Sequence, residues 1–220
     1  RYIETQIPMR YAHGRIQLSI QVIKHSRSSK GAFKQAMNQE MTGLVRDLSN
    51  DLNRAMFGTG KGTLALVNES TPNGNATLFV DAPGGVAGSV HGNRFLNVGM
   101  AIGFINPGTG ALRSTGATPG RTITAVSADG NTVTLDAAPA AAVDNDLIVR
   151  IASGASSLVV TDSAYNNEFN GLLALVDDST YVDTINNVQR STYPIFKSTV
   201  LPSVGPLSAD ILQRGIDISD

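Results

Sequence analysis

The stretch whose composition most suggests chemistry is Gly58-Thr59-Gly60-Lys61-Gly62-Thr63, which has the glycines and lysine of a phosphate-binding loop. Two features argue against that use. A phosphate loop needs Gly-Lys followed at once by Ser or Thr to hold magnesium, and here Gly62 intervenes. It must also open a helix so that the N-terminal amides face the phosphates, whereas this run follows a helical pattern and closes it. The segment therefore reads as a helix stop and a flexible elbow. His13, His25 and His91 each stand without a carboxylate or second histidine at ligand spacing, and read as surface or structural groups. Asp177-Asp178 could hold a cation, but adjacent acids more often mark a solvated turn. Gly84-Gly85-Val86-Ala87-Gly88 lacks the preceding strand and following helix of a dinucleotide fingerprint. Asn68-Glu69-Ser70 and Asn75-Ala76-Thr77 match the glycosylation pattern, with no signal peptide to give it meaning. No nucleophile is accompanied by a recognisable base. The expectation is a chain with no catalytic residue, no cofactor site and no metal site, and not an enzyme.

Composition agrees with a structural role. A chain of 220 residues, 41% of them hydrophobic, can bury a substantial core as one large domain or two small ones. Aromatics are only 5% and Trp is absent, so that core must be built from Val, Ile, Leu and Ala. The net charge of −1 gives no overall electrostatic footprint for nucleic acid or membrane. Without cysteine there is no disulfide framework, thiolate metal site or thiol nucleophile. No stretch approaches the length of a membrane span. The chain opens at Arg1 rather than Met, and Leu207 to Asp220 reads as a helix that stops mid-pattern. A processed form or a portion of a longer chain is expected.

The element that organises the rest is a long helix over Lys30–Phe57. Phe33, Met37, Met41, Leu44, Leu48, Leu52 and Ala55 recur every three or four positions. That is about 3.67 residues per turn, so one apolar stripe runs straight down a single helix. At the usual rise it would be roughly 40 Å long. Gln35, Asn38, Gln39, Arg46, Asn50 and Asn53 form the opposite face. Ser29 is the expected N-cap and Gly58 the expected C′ glycine, while Lys30 and Lys34 oppose the helix dipole. Tertiary packing must therefore supply most of its stability.

Before the helix, Arg1–Arg10 is extended and polar, and Arg15–Val22 alternates strictly, as a strand with one buried face. After it come short strands at Thr63–Val67 and Thr77–Val80. Between Asn93 and Ala152, apolar runs at Phe95–Val98, Ala101–Ile105, Arg121–Val126, Thr132–Leu135 and Leu147–Ile151 are separated by turn residues. Ala128-Asp129-Gly130-Asn131 marks a hairpin. These five strands predict a small barrel or sandwich inserted between helical parts. Further on, Phe169, Leu172, Leu173, Leu175 and Val176 are expected to be buried. Tyr193-Pro194 argues against a helix at Gln189–Lys197, and Ser208 with Asp210 marks a helix start.

Several of these pieces, in this order, resemble one family. Tyr11-Ala12-His13-Gly14-Arg15-Ile16 leads toward Gly31-Ala32-Phe33, and the long helix ends Asp51-Leu52-Asn53-Arg54-Ala55-Met56-Phe57-Gly58-Thr59-Gly60. After the β-rich stretch come Glu168-Phe169-Asn170-Gly171-Leu172, then Leu175-Val176-Asp177, and Arg190-Ser191-Thr192-Tyr193-Pro194. The succession resembles the major capsid proteins of tailed bacteriophages, with the Hong-Kong-type (Johnson) fold. The resemblance implies an α+β chain. Residues 1–92 would hold the end of the E-loop, a P-domain strand and the spine helix (30–58). Residues 93–152 would be an inserted β-barrel-like domain, and 153–220 the return to the P-domain with the start of a partial A-domain. It implies self-assembly, as pentamers and hexamers, into an icosahedral shell enclosing phage DNA that is contacted non-specifically. Portal, scaffolding or decoration proteins would be further partners, with no membrane. The implied location is the virion, assembled in the host bacterial cytoplasm. Two other readings stay open: the shell of a gene-transfer particle or protein nanocompartment, and a β-rich surface or adhesion module whose 93–152 segment binds a ligand. A nucleotide-using enzyme built on Gly58–Thr63 is the third class weighed.

Overall fold

The apolar stripe and the lack of Pro, with Gly only at Gly31 and Gly43, do produce one long helix, α1, over Lys30–Met56. The computed structural model describes residues 4–12, 14–16, 20, 30–68, 75–83, 91–113, 120–139, 141–152, 163–201, 205–206 and 208–219. Ser29, His13, His25, Gly84–Gly88 and most of the Arg15–Val22 strand lie outside them. Arg15 and Ile16 are in no regular element, and Ile20 is helical, which corrects the expected strand at that position. The end of α1 also differs from expectation. Phe57 N–H donates to the Arg54 carbonyl at 3.2 Å and Gly58 N–H to the Ala55 carbonyl at 3.0 Å. The last turn thus tightens to i→i−3 bonds, and the left-handed residues are Gly60 and Gly62 rather than Gly58.

Downstream of α1 the chain forms a closed antiparallel barrel of six strands: β1 (Thr63–Val67), β2 (Thr77–Asp81), β3 (Ala101–Ile105), β4 (Arg121–Val126), β5 (Thr132–Leu135) and β6 (Leu147–Arg150). Their order around the barrel is β1-β2-β5-β4-β3-β6, with β1 pairing back onto β6. The barrel thus spans Thr63 to Arg150 and takes in two strands that precede residue 93. Phe95–Val98 is not a strand. Leu96 N–H closes a turn on the Asn93 carbonyl and Met100 N–H one on that of Asn97. Asn93, Asn97 and left-handed Gly99 favour turns there, and the buried Leu96 with Phe95 plugs the barrel instead. The hairpin at Ala128–Asn131 forms as expected, with Gly130 left-handed and the Asp129 carboxylate accepting from Asn131 and Thr132 N–H.

Side chains of alternate strand positions fill the interior: Leu78 and Val80, Ile102 and Phe104, Ile123, Val133, Ile148. The outer side of β1, β3 and β6 is buried as well. Leu66, Ile105, Leu147 and Val149 are covered there by Leu112 and Tyr165. This two-sided burial explains why those strands read as continuous apolar runs instead of alternating. Asp146, fully buried, accepts from Arg113 Nε and Nη2 at 2.9 Å and from Val143 N–H at 2.8 Å, fixing the entry to β6.

After the barrel, a one-turn helix α2 (Leu172–Leu175), a two-residue hairpin β7 (Thr184–Ile185) and β8 (Val188–Gln189), and a 3-10 turn at Pro194–Phe196 follow. Asn186 and Asn187, both left-handed, make the hairpin turn. The last helix, α3 (Ala209–Ser219), opens as expected, with Ser208 Oγ accepting from Ile211 N–H and Asp210 in the first turn. The molecule is α+β, and among the described residues no helix is long and apolar enough to cross a membrane.

The alternation makes a direct prediction. Ile148→Ala, at a position with no exposure, is expected to cost about 2–5 kcal/mol in urea unfolding. Phe79→Ala, on the outer side of β2 and half exposed, is expected to cost less than about 1 kcal/mol. Equal losses at both would mean that the barrel interior is assigned to the wrong face.

Candidate functional site

Three segments that lie far apart in sequence meet where α1 ends. The first is the end of α1 with its glycine elbow, the second the rim of the barrel, and the third the return segment that begins at Ser163. Buried Arg54 organises their meeting point, and a second buried arginine, Arg190, organises the return segment itself.

Arg54 lies on the last turn of α1 and is buried. Its Nε and Nη2 donate to Asp51 Oδ1 at 3.2 and 2.9 Å, one helical turn back. Its Nη1 donates to the Thr63 carbonyl at 3.2 Å and to Glu168 Oε2 at 3.1 Å, and Nη2 donates to Glu168 Oε1. Arg150, the last residue of β6, donates from Nη1 to Asp51 Oδ2 at 3.2 Å. Burial works against the Arg54 charge, but the bonds and charges of Glu168 and Asp51 outweigh it and hold its pKa above the ordinary value. One guanidinium thus joins the helix, β1 and the return segment.

Arg190, from Arg190-Ser191-Thr192, is more deeply buried. It donates to the carbonyls of Phe196 at 3.0 Å, Val182 at 3.1 Å and Leu175 at 3.1 Å. Asp177 Oδ2 lies 3.8 Å from Arg190 Nη1 and accepts from the N–H groups of Tyr181 and Val182. Asp177-Asp178 is therefore a turn, as the sequence favoured, but only half of it is solvated. Asp177 is buried, while Asp178 organises the exposed Thr180. The Thr180 bonds hold the Asp178 carboxyl below its usual range.

The elbow that resembled a phosphate loop serves this junction. Gly62 is left-handed and sits so close to the Ala164 carbonyl that a Cβ has no room. Gly171, at the start of α2, packs on the backbone of the last turn of α1, where a Cβ would lie 2.6 Å from the Gly58 carbonyl oxygen. Lys61 is half-buried, and its pKa is lowered by that burial, partly offset by Asp177. A cavity of about 410 Å³ opens beside Arg54, Phe57, Thr63, Phe95, Glu168 and Leu173.

The residues of the proposed helix stripe are placed unevenly. Ala55 is buried, Leu44 packs against Gly14, and Phe33, Met37 and Leu48 are half-buried. Met41 and Leu52 are exposed. In the return segment the leucines are a correction: Leu172, Leu175 and Val176 are each about half exposed, and Ala174 is the residue turned inward. Against the expectation from Pro194, one 3-10 turn starts there, the proline taking a first-turn position. His91 takes a left-handed turn position. Among the described residues, no group of three His, Cys, Asp or Glu could hold a metal. No protein-family model, curated protein or solved structure matches this chain.

Two outcomes test the junction. Glu168→Ala leaves the buried Arg54 short of a counter-charge and is expected to cost about 3–5 kcal/mol in chemical denaturation. A loss under about 1 kcal/mol would remove this pair as the tie. Lys61 has a folded pKa below the ordinary 10.5, so the unfolded chain binds its proton more tightly. Charged Lys61 therefore lowers stability, and the cost is relieved as pH climbs toward 10.5. Lys61→Met is expected to raise the thermal midpoint near neutral pH, with the advantage shrinking in alkaline buffer.

Proposed function

We propose that this chain is a structural subunit that self-assembles into a closed shell, the major capsid protein of a tailed-phage-type particle enclosing DNA, with the Johnson fold. The observation that carries this reading is α1. Twenty-seven residues of helix are anchored chiefly at their last turn, through Arg54, Ala55 and the Gly171 contact. Met41, Val45 and Leu52 of the remaining length are exposed in the single chain. Lone apolar exposures are ordinary, but a row of them along a helix that its own chain does not cover is a surface made for neighbours. The exposed extended arm with Ile7, Met9 and Tyr11 has the same character.

A second observation supports the family reading. Arg54, Glu168, Asp177 and Arg190 come from the separate motifs on which the resemblance rests, and they form two ion pairs, Arg54 with Glu168 and Arg190 with Asp177. Contacts between motifs that lie apart in sequence support reading them as parts of one structural unit. On this reading the arginines act as ties, not catalysts, and the protein is not an enzyme. Its partners are other copies in pentamers and hexamers, then portal, scaffolding or decoration proteins, with DNA contacted without sequence preference inside the virion. A shell for gene transfer or a nanocompartment would use the same contacts.

Expression of the full-length product is expected to give closed particles tens of nanometres across in negative-stain microscopy. Leu48→Asp, placing a charge on the half-buried stripe, is expected to abolish them. A chain that stays monomeric at high concentration would overturn the shell reading, and normal shells from Leu48→Asp would overturn the role of the stripe.

A further inference from the structure

The junction carries a cation whose charge it answers only in part. Lys61 is half-buried, yet among the described residues its ammonium takes part in no ion pair or hydrogen bond. Two carboxylates of the junction are committed elsewhere. Glu168 holds Arg54 through both of its oxygens. Asp177 accepts from the N–H groups of Tyr181 and Val182 and faces Arg190. Asp177 therefore offsets the burial of Lys61 incompletely. A cation desolvated without a full counter-charge weakens the fold, and such a group beside a cleft is a candidate for binding.

A cavity bordered by Lys61 has the matching chemistry. About 560 Å³ in volume, it lies between the extended arm, the glycine elbow and the β7–β8 hairpin. That is within the usual range of small-molecule sites, about 300–1,000 Å³. Lys61 lines it from the elbow and Arg10 from the arm, and among the described residues neither is ion-paired. Glu168 is the only acid among the described residues on its walls, and that charge is spent on Arg54. Thr59, Thr184 and Asn187 add uncharged hydroxyl and amide groups. The arm is held at Gln6, whose N–H donates to the Asn186 carbonyl at 3.0 Å. Lys61 also borders a smaller cavity of about 300 Å³, but there it brings the only charge among the described residues, and Leu66, Pro107 and Leu147 make the walls apolar.

We infer that the cavity bounded by Arg10, Lys61 and Asn187 binds a tetrahedral oxyanion of the phosphate class, free or as the head of a small phosphomonoester. Two cations with no free acid to balance them favour an anion. Guanidinium, ammonium, hydroxyl and amide donors on several walls suit three or more acceptor oxygens, which a phosphate offers and a carboxylate does not. The volume leaves room for a polar organic group beside the phosphate. The positive charge comes from side chains and not from the free amides of a helix, so the missing phosphate loop is no obstacle. Binding here does not depend on self-assembly, because every wall belongs to one chain.

The test is calorimetric titration of the chain at constant ionic strength, with inorganic phosphate and glycerol 3-phosphate as separate probes. Saturable heat is expected from at least one of them. Tighter binding of the ester would assign the site to a phosphorylated small molecule, and equal or tighter binding of inorganic phosphate would assign it to the free ion. Lys61→Met and Arg10→Gln are each expected to weaken binding by about tenfold or more, the usual scale of a charge-assisted bond. Lys61→Met is also expected to be the more stable protein, so its weaker binding would not reflect unfolding. Arg10 is exposed, so Arg10→Gln keeps the fold and decides the matter should Lys61→Met not fold. No saturable heat from either probe would overturn the site. Binding at full strength by either folded variant would overturn it as well.

Discussion

Burying the Arg54 charge is the constraint on which the arrangement depends. A guanidinium removed from water must be matched by carboxylates in good geometry, and no single segment of this chain can do that. Asp51 lies on the same helix but also binds Arg150 at the barrel rim. Glu168 is separated from Arg54 by 114 residues and follows the whole barrel in sequence. The charge is satisfied when helix, barrel and return segment are all in place. The pair therefore acts as a registration device between elements that otherwise share few contacts.

The barrel explains why such a device is needed. Closure of β1 on β6 brings the two ends of the 63–150 stretch side by side. The chain thus leaves the barrel close to where it entered, beside the end of α1. The apolar core of the barrel is self-contained and makes no demand on the helix. The relation of barrel to helix rests on polar ties and on glycine-mediated close packing. Such contacts are directional and fix an angle, whereas apolar burial alone does not discriminate between orientations of similar area.

What the sequence revealed follows from this division. Local periodicity is readable from one segment, so α1, the Ala128–Asn131 hairpin and the cap at Ser208 were all legible. Pairing between distant segments is not local. The apolar run at Thr63–Val67 carries no mark that it will lie against Leu147–Arg150, and the barrel reached further back than the turn-rich stretch alone implied. The return segment misled for another reason. Leu172, Leu175 and Val176 read as core by type, but in a single helical turn only one side can face inward, and Ala174 takes it beside the glycine contact. Arg190 was legible only as part of a motif. Nothing in Arg-Ser-Thr announces a guanidinium that will cap three backbone carbonyls from three segments.

The glycine elbow shows how composition can suggest one chemistry and serve another. Glycine is used at a phosphate loop because backbone must approach a ligand closely and adopt left-handed angles. The same two demands arise when backbone approaches backbone. Gly62 lies against the Ala164 carbonyl with φ of +73°, and Gly171 lies against the Ala55–Gly58 carbonyls. The group approached is thus another part of the chain. The lysine between Gly60 and Gly62 points the same way: Lys61 is under the influence of Asp177, a carboxylate of the chain itself. The feature that separates the two uses is the element that follows. A helix after the glycines turns free amides toward a ligand, whereas here β1 follows and its amides are spent on the barrel. The order of elements, more than the residue types, decides what a glycine-rich loop can bind.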